Sequence, residues 1–372
     1  MLHKKSRKIV LILCSIVLYS LFNTISAQNT IPNFQEIIQQ KFKAGINISY
    51  FENYWKSEEE LMNNYQKVLD KVLLAHQLGF SSIRLPIAFN NFLIPSSNKI
   101  SKRFLKQLKI IHKLTASKNM NLIIVDFYGQ ANKCDDVIID EAEHACLWRQ
   151  ILAEFYGLDY DHLFFDMYND PILDIKKWDS SKNNLIKLLR PLDLNRYWIL
   201  SCSNYCDIEA LTQMKIVLND DKIIYSFHFF KPFEFTHQGA PWDSAKTRLK
   251  GLPYPYSLAE MPLRPESPNN TDLKYNYDHY YEKANRASIN DAIRCAYDWM
   301  ITNKVPVICT ETGTINTIPF QYRENYFNDV LGVMKNYGIP TMIWDLDQSF
   351  GIINKQKKTM PSVTNWIKSF EK

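Results

Sequence analysis

Eight short apolar segments, rich in β-branched and aromatic residues, recur along the chain at 44–50, 82–87, 121–127, 163–169, 197–203, 223–230, 306–312 and 341–346. Most are continuous apolar runs rather than alternations, the pattern of strands covered on both faces. Helix-like stretches separate them, at 59–78, 102–118, 142–156, 179–190, 286–302, 321–337 and 361–370. Eight strands alternating with helices predict an α/β fold, one parallel (β/α)8 TIM barrel. An open doubly wound sheet is the competing arrangement, but no Gly-rich phosphate loop follows the first segment. The stretch 231–278 is rich in Pro, Tyr and Asn and carries no clear helical pattern. It reads as one extended strand-to-helix loop.

The first residues are of a different kind. Lys4, Lys5, Arg7 and Lys8 precede an apolar run over 9–22, which exits through small residues to Ala27. That order reads as a secretory signal peptide over 1–27, leaving 28–372 as a single barrel domain and placing the protein in the secreted or periplasmic space. The apolar run is short of the roughly 20 residues a membrane span needs, so no membrane association is expected after cleavage. The formal net charge is +5, and the leader's four basic residues supply most of it. The rest is close to neutral, which argues against a nucleic-acid partner.

Six cysteines follow the leader: Cys134, Cys146, Cys202, Cys206, Cys295 and Cys309. An exported chain can oxidise them, and all pairings stay open. Cys134 and Cys146 flank a polar loop that they could close, while Cys309 lies in an apolar run and reads as a buried thiol. No Cys/His spacing resembles a zinc site. No metal or organic cofactor is implied, and a monomer is favoured.

Polar and ionisable residues repeatedly occupy the ends of the strand-like runs. They are Arg84, Tyr128, Asn169 with Asp170, Asn204, His228, Glu311 and Trp344. One such residue is more often an ordinary hydrogen-bonded partner. Seven of eight strands ending this way is harder to assign to packing, because strand ends of a barrel converge on one mouth. A carboxylate pair there suits glycoside hydrolysis, with one carboxyl attacking and the other protonating the leaving oxygen. Asp170 and Glu311 are the natural pair. Arg84 is expected to hold Glu311 ionised, Asn169 to bind a sugar hydroxyl, and Trp344 to floor the site. Trp242 or Phe233, from the long loop, would wall it.

These residues sit in motifs that resemble glycoside hydrolase family 5, a retaining β-glycanase family. The motifs are Gly45-Ile46-Asn47, the run from Gly79 through Ser82-Ile83-Arg84-Leu85-Pro86, Trp148-Arg149 and Phe165-Asp166-Met167-Tyr168-Asn169-Asp170-Pro171. They continue with Tyr225-Ser226-Phe227-His228, Lys231 to Ala240, Val305 to Gly313, Trp344 and Phe350-Gly351-Ile352. The resemblance implies a carbohydrate substrate, Glu311 as nucleophile and Asp170 as acid/base. Arg84, Asn169, His228, Glu311 and Trp344 match the family pattern. Three positions depart from it: Asp170 where the family has Glu, Tyr128 where it has His, and Phe230 where it has Tyr. An active retaining β-glycanase and a glycan-binding barrel that has lost most catalysis both fit that pattern.

Overall fold

The computed structural model describes residues 32–52, 60, 65–127, 140–241, 249–266, 271–354 and 356–371. The leader, Tyr128, Cys134 and Trp242 lie outside the described residues. The chain divides after Pro32, and the unit Asn33–Lys372 holds the fold described below.

Eight parallel strands close into a barrel in chain order. They are β1 (Ala44–Asn47), β2 (Ser82–Ile87), β3 (Asn121–Asp126), β4 (Leu163–Asp166), β5 (Trp198–Ser201), β6 (Ile223–Phe229), β7 (Val307–Thr312) and β8 (Thr341–Ile343). The helices are α1 (Asn33–Phe42), α2 (Tyr65–Gln77), α3 (Lys102–Ser117), α4 (Glu141–Phe155), α5 (Ile175–Leu189), α6 (Ile208–Gln213), α7 (Thr271–Asp278), α8 (Arg286–Asn303), α9 (Phe320–Asn336) and α10 (Pro361–Lys368). The architecture is the (β/α)8 barrel that the alternation of segments predicts.

Side chains alternate across a strand, so residues two apart share a face. Ile123, Phe164, Ile199, Ile224, Ile308 and Met342 form one buried cluster inside the barrel, closed from below by Ile38 and Phe42 of α1. Two residues further along, the same face carries Asp166, Ser201, Ser226, Thr310 and Trp344. The barrel is thus filled by an apolar layer under a polar one. Ser201 shows the direction: its hydroxyl lies 3.2 Å from that of Ser226 and 3.4 Å from Asp166 Oδ1.

Three elements differ from the sequence reading. Helix α5 begins at Ile175 rather than 179, because the Asp174 carboxylate accepts the Lys176 and Lys177 amides and caps it there. The long stretch after β6 contains α7, whose buried face rests on Leu273, too little to give a readable apolar period. Helix α1 is a further element beyond the sequence reading; it buries the polar Gln35 beside Ile38 and Phe42.

Gln35 joins α1 to the barrel floor. Its side-chain nitrogen donates to the Val307 and Gly338 carbonyls at 2.7 and 2.8 Å, and its oxygen accepts the Val307 amide at 2.8 Å. Substituting Gln35→Ala leaves buried backbone groups unpaired, each costing about 1–3 kcal/mol. Urea unfolding of this variant should show a loss of at least that size with an unchanged m value. A loss of only a few tenths would contradict the docking role.

Candidate active site

The polar layer is organised around Arg84 on β2, whose side chain is completely buried. Its Nε donates to Asp166 Oδ2 at 3.0 Å, Nη1 to Glu311 Oε1 at 2.7 Å and to Asn47 Oδ1 at 3.1 Å, and Nη2 to Asn169 Oδ1 at 2.6 Å. The planar guanidinium fork suits this divergent set of acceptors. The partners come from β1, from β4 and its continuation, and from β7. Sequence reasoning placed Arg84, Asn169 and Glu311 together but missed Asp166. The available signal was a carboxylate at an inward position of an otherwise apolar strand.

Glu311 is also buried, and it faces two cations. Besides Arg84, His228 Nε2 lies 3.6 Å from the same carboxylate oxygen. Burial pushes the Glu311 carboxyl up, and the charges of His228 and Arg84 pull it down without cancelling that push. The net direction is upward. The low-dielectric surroundings outweigh the two cations in that direction. Asp166 behaves the same way, raised by burial against the pull of Arg84.

His228 links the two carboxylates singled out from sequence. Its Nδ1 is 2.8 Å from Asp170 Oδ1, and its Nε2 faces Glu311. Burial alone would lower the imidazole pKa, but the negative charge that faces it, Glu311 first and Asp170 with it, overrides burial and raises the pKa to about 10. His228 is therefore a cation at neutral pH. Asp170 keeps a left-handed backbone, φ 47°, at the point where the chain leaves β4. Its side chain is 24% exposed against 6% for Glu311, so Asp170 stands on the solvent side of the pair.

The other expected residues divide. Phe230 stands edge-on to His228, His237 and Phe350, with ring centroids 6.5, 5.1 and 5.9 Å away. It thus lies beside the cluster without a hydroxyl to offer it. Trp344 is half-buried and stacks on Phe127 at 6.4 Å and 18°. Its position depends on Gly313, where a Cβ would lie 2.0 Å from the Trp344 carbonyl oxygen. Asn204 is exposed, in left-handed conformation after β5, and its carbonyl accepts the Asp207 amide. Phe233 stacks flat on His237 at 3.9 Å. It lines a separate cavity of about 390 Å³ with Asp207, Lys231, Glu234 and Lys283.

Two further carboxyls were not foreseen. Burial raises Asp345 to about 7 and Glu52 to about 8. Asp345 lies 3.5 Å from the Ser49 hydroxyl and accepts the Gln348 amide at 2.7 Å. Glu52 follows the end of β1, and the charges of Asp345 and Glu311 add to its rise. Among the described residues no cluster of three His, Cys, Asp or Glu side chains is arranged to hold a metal ion.

A family model described as Cellulase (glycosyl hydrolase family 5) matches residues 37–350. The chain is similar to Endoglucanase 3 of Fibrobacter succinogenes, 25% identical over 357 residues, covering 89% of this chain and 53% of that protein. It is similar to Endoglucanase C of Acetivibrio thermocellus, 25% identical over 334 residues, covering 85% of this chain and 95% of that protein. The chain therefore spans about half the length of the first relative and nearly all of the second. Among solved structures, a hyperthermophilic endo-β-1,4-glucanase in complex with substrate superposes with a TM-score of 0.72 at 20% identity, covering 90% of this chain and 98% of that one. Endoglucanase Cel5A of Thermotoga maritima does so with 0.72 at 19% identity, covering 89% and 99%. At those identities the likeness is one of fold.

The raised His228 pKa has a pH signature. A group whose folded pKa lies above its ordinary 6.5 stabilises the fold fully below that value and loses the contribution as pH rises toward 10. The difference in unfolding free energy between the native chain and a His228→Gln variant should be constant at mildly acidic pH and shrink steadily on the alkaline side. A difference independent of pH would show that the imidazole pKa is not raised in the fold.

Proposed function

The chain belongs to the cellulase family, glycosyl hydrolase family 5, and we propose that it hydrolyses β-linked glucan or a related polysaccharide by a retaining mechanism in which Glu311 attacks and Asp170 is the acid/base. The observation that carries this reading is the shared imidazole: His228 touches Asp170 and Glu311 at once, while Arg84 fixes Glu311 from the other side. The endoglucanase names of the relatives support the substrate class.

In the first step Glu311 bonds to the anomeric carbon as the glycosidic bond breaks, and Asp170 gives a proton to the departing oxygen. In the second, a water attacks that carbon, Asp170 takes the proton, and Glu311 is released. Each chain residue has a defined task. Arg84 and His228 offset the cost of a buried carboxylate nucleophile. His228, as a cation 2.8 Å from Asp170, orients that carboxyl by a charge-assisted contact. Trp344 offers a flat face to a sugar ring. The basic, apolar and small-residue succession at the start of the chain supports export by signal peptide. Among the described residues no helix is long and apolar enough to cross a membrane.

A second reading is a glycan-binding barrel with little turnover, and one observation favours it. The Asp170 carboxyl, one methylene shorter than Glu, is engaged by His228, and a misplacement of about 1 Å can cost about 100-fold in rate. Hydrolysis assays separate the two. Asp170→Glu should raise turnover of unactivated β-glucan, with a smaller gain on aryl glycosides whose leaving groups need little protonation. Glu311→Gln should abolish turnover in either background. If the native chain and Asp170→Glu both stay at background while glycan affinity changes, the binding reading is correct.

A further inference from the structure

Cys202 and Cys206 lie on the connection that leaves β5, both fully buried, with their sulfurs 3.5 Å apart. Three successive left-handed residues, Asn204, Tyr205 and Cys206, at φ 53°, 57° and 57°, fold the backbone back so that the two thiols meet. Side chains other than glycine rarely adopt that conformation, and a run of three persists only where the surroundings impose it. The sulfurs pack against backbone carbonyls, Cys202 on Asp207 at 3.2 Å and Cys206 on Ser226 at 3.3 Å.

This turn touches both sides of the reaction centre. The Tyr205 amide donates to the Pro171 carbonyl at 3.3 Å, one residue beyond Asp170. Asp207 forms a backbone bridge with His228, and the Cys202 amide donates to Ser226 on the same strand as His228. Whatever fixes the turn therefore fixes the backbone that presents Asp170 and His228 to each other.

We propose that Cys202 and Cys206 are joined by a disulfide that locks the β5 connection behind Asp170 and His228. The sulfurs need to approach from contact to the bonded separation of about 2.05 Å. A loop this short removes little chain entropy, so the bond acts on local geometry more than on global stability.

The oxidant is a small-molecule disulfide such as oxidised glutathione. The Cys206 thiolate attacks one of its sulfurs and expels one thiolate. The Cys202 thiolate then attacks the Cys206 sulfur and expels the second. Two protons pass from the protein thiols to the two expelled thiolates, and two electrons pass from the protein to the oxidant. Because neither sulfur is exposed in the folded barrel, exchange belongs to folding, before the turn closes.

Trypsin releases both cysteines in one peptide, from Tyr197, after Arg196, to Lys215. The full chain, folded with a mixture of oxidised and reduced glutathione, is denatured in alkylating agent without reductant and mapped by mass spectrometry. The expected peptide carries no alkyl group and is lighter by two hydrogens than its reduced form. Alkylation of both residues, or a link from either to a third cysteine, would overturn the bond.

The positioning role rests on the reading of Asp170 as acid/base, and it has its own measurement. Reducing the bond, or replacing both residues in a Cys202→Ser/Cys206→Ser variant, should lower kcat on unactivated β-glucan several-fold more than kcat on an aryl β-glycoside, with KM little changed. Equal losses on both substrates would leave the bond as structural only and overturn the positioning role. Where the native chain hydrolyses neither substrate, the glycanase reading fails while the peptide map still decides the bond.

Discussion

One buried guanidinium organises this barrel. Arg84 has no exposure to water, so its charge must be met inside the protein, and it is met by Asp166, Glu311, Asn47 and Asn169. Breaking a buried pair leaves an uncompensated charge in low dielectric and is strongly destabilising. The four acceptors come from widely separated parts of the chain. Barrel closure and assembly of the reactive layer are therefore coupled events. Asp166 and Glu311 are both pushed up by burial and pulled down by the same cation. The charge on Arg84 is divided between the carboxylates of Asp166 and Glu311.

The second cation, His228, sits where that division ends. It faces Glu311 with one ring nitrogen and Asp170 with the other, and the surrounding negative charge keeps it protonated. This puts a positive charge between a buried carboxylate and a partly exposed one. The shorter side chain of Asp170 is matched by a left-handed backbone at that residue and by support from the β5 turn through Pro171. On the far side, the absence of a side chain at Gly313 lets β7 run against the Trp344 carbonyl. Position, more than residue type, distinguishes this mouth.

The barrel was legible because each strand reads as an apolar run and each long helix carries an apolar stripe. What escaped were elements held by polar contacts. Helix α1 docks through Gln35, and α7 buries little besides Leu273. The mouth was legible from Arg84, Asn169, His228 and Glu311, since chemistry-bearing residues at strand ends point to one face. Asp166 was not, because a carboxylate inside an apolar run gives no hint of its partner. The net direction of the Glu311 pKa was also out of reach, since the cation is visible in sequence and the depth of burial is not. The raised pKa values of Asp345 and Glu52 escaped for that same reason: burial is the first cause of both.

Glu311, held between Arg84 and His228, is proposed as the nucleophile that forms a covalent bond to sugar. A 2-deoxy-2-fluoro β-cellobioside with a good leaving group needs little help from an acid, so it tests Glu311 independently of Asp170. Incubation followed by peptide mass spectrometry should find one fluoroglycosyl group per chain, attached to the peptide that contains Glu311, and none in the Glu311→Gln variant. An unlabelled chain, or a label on any other residue, would contradict the claim.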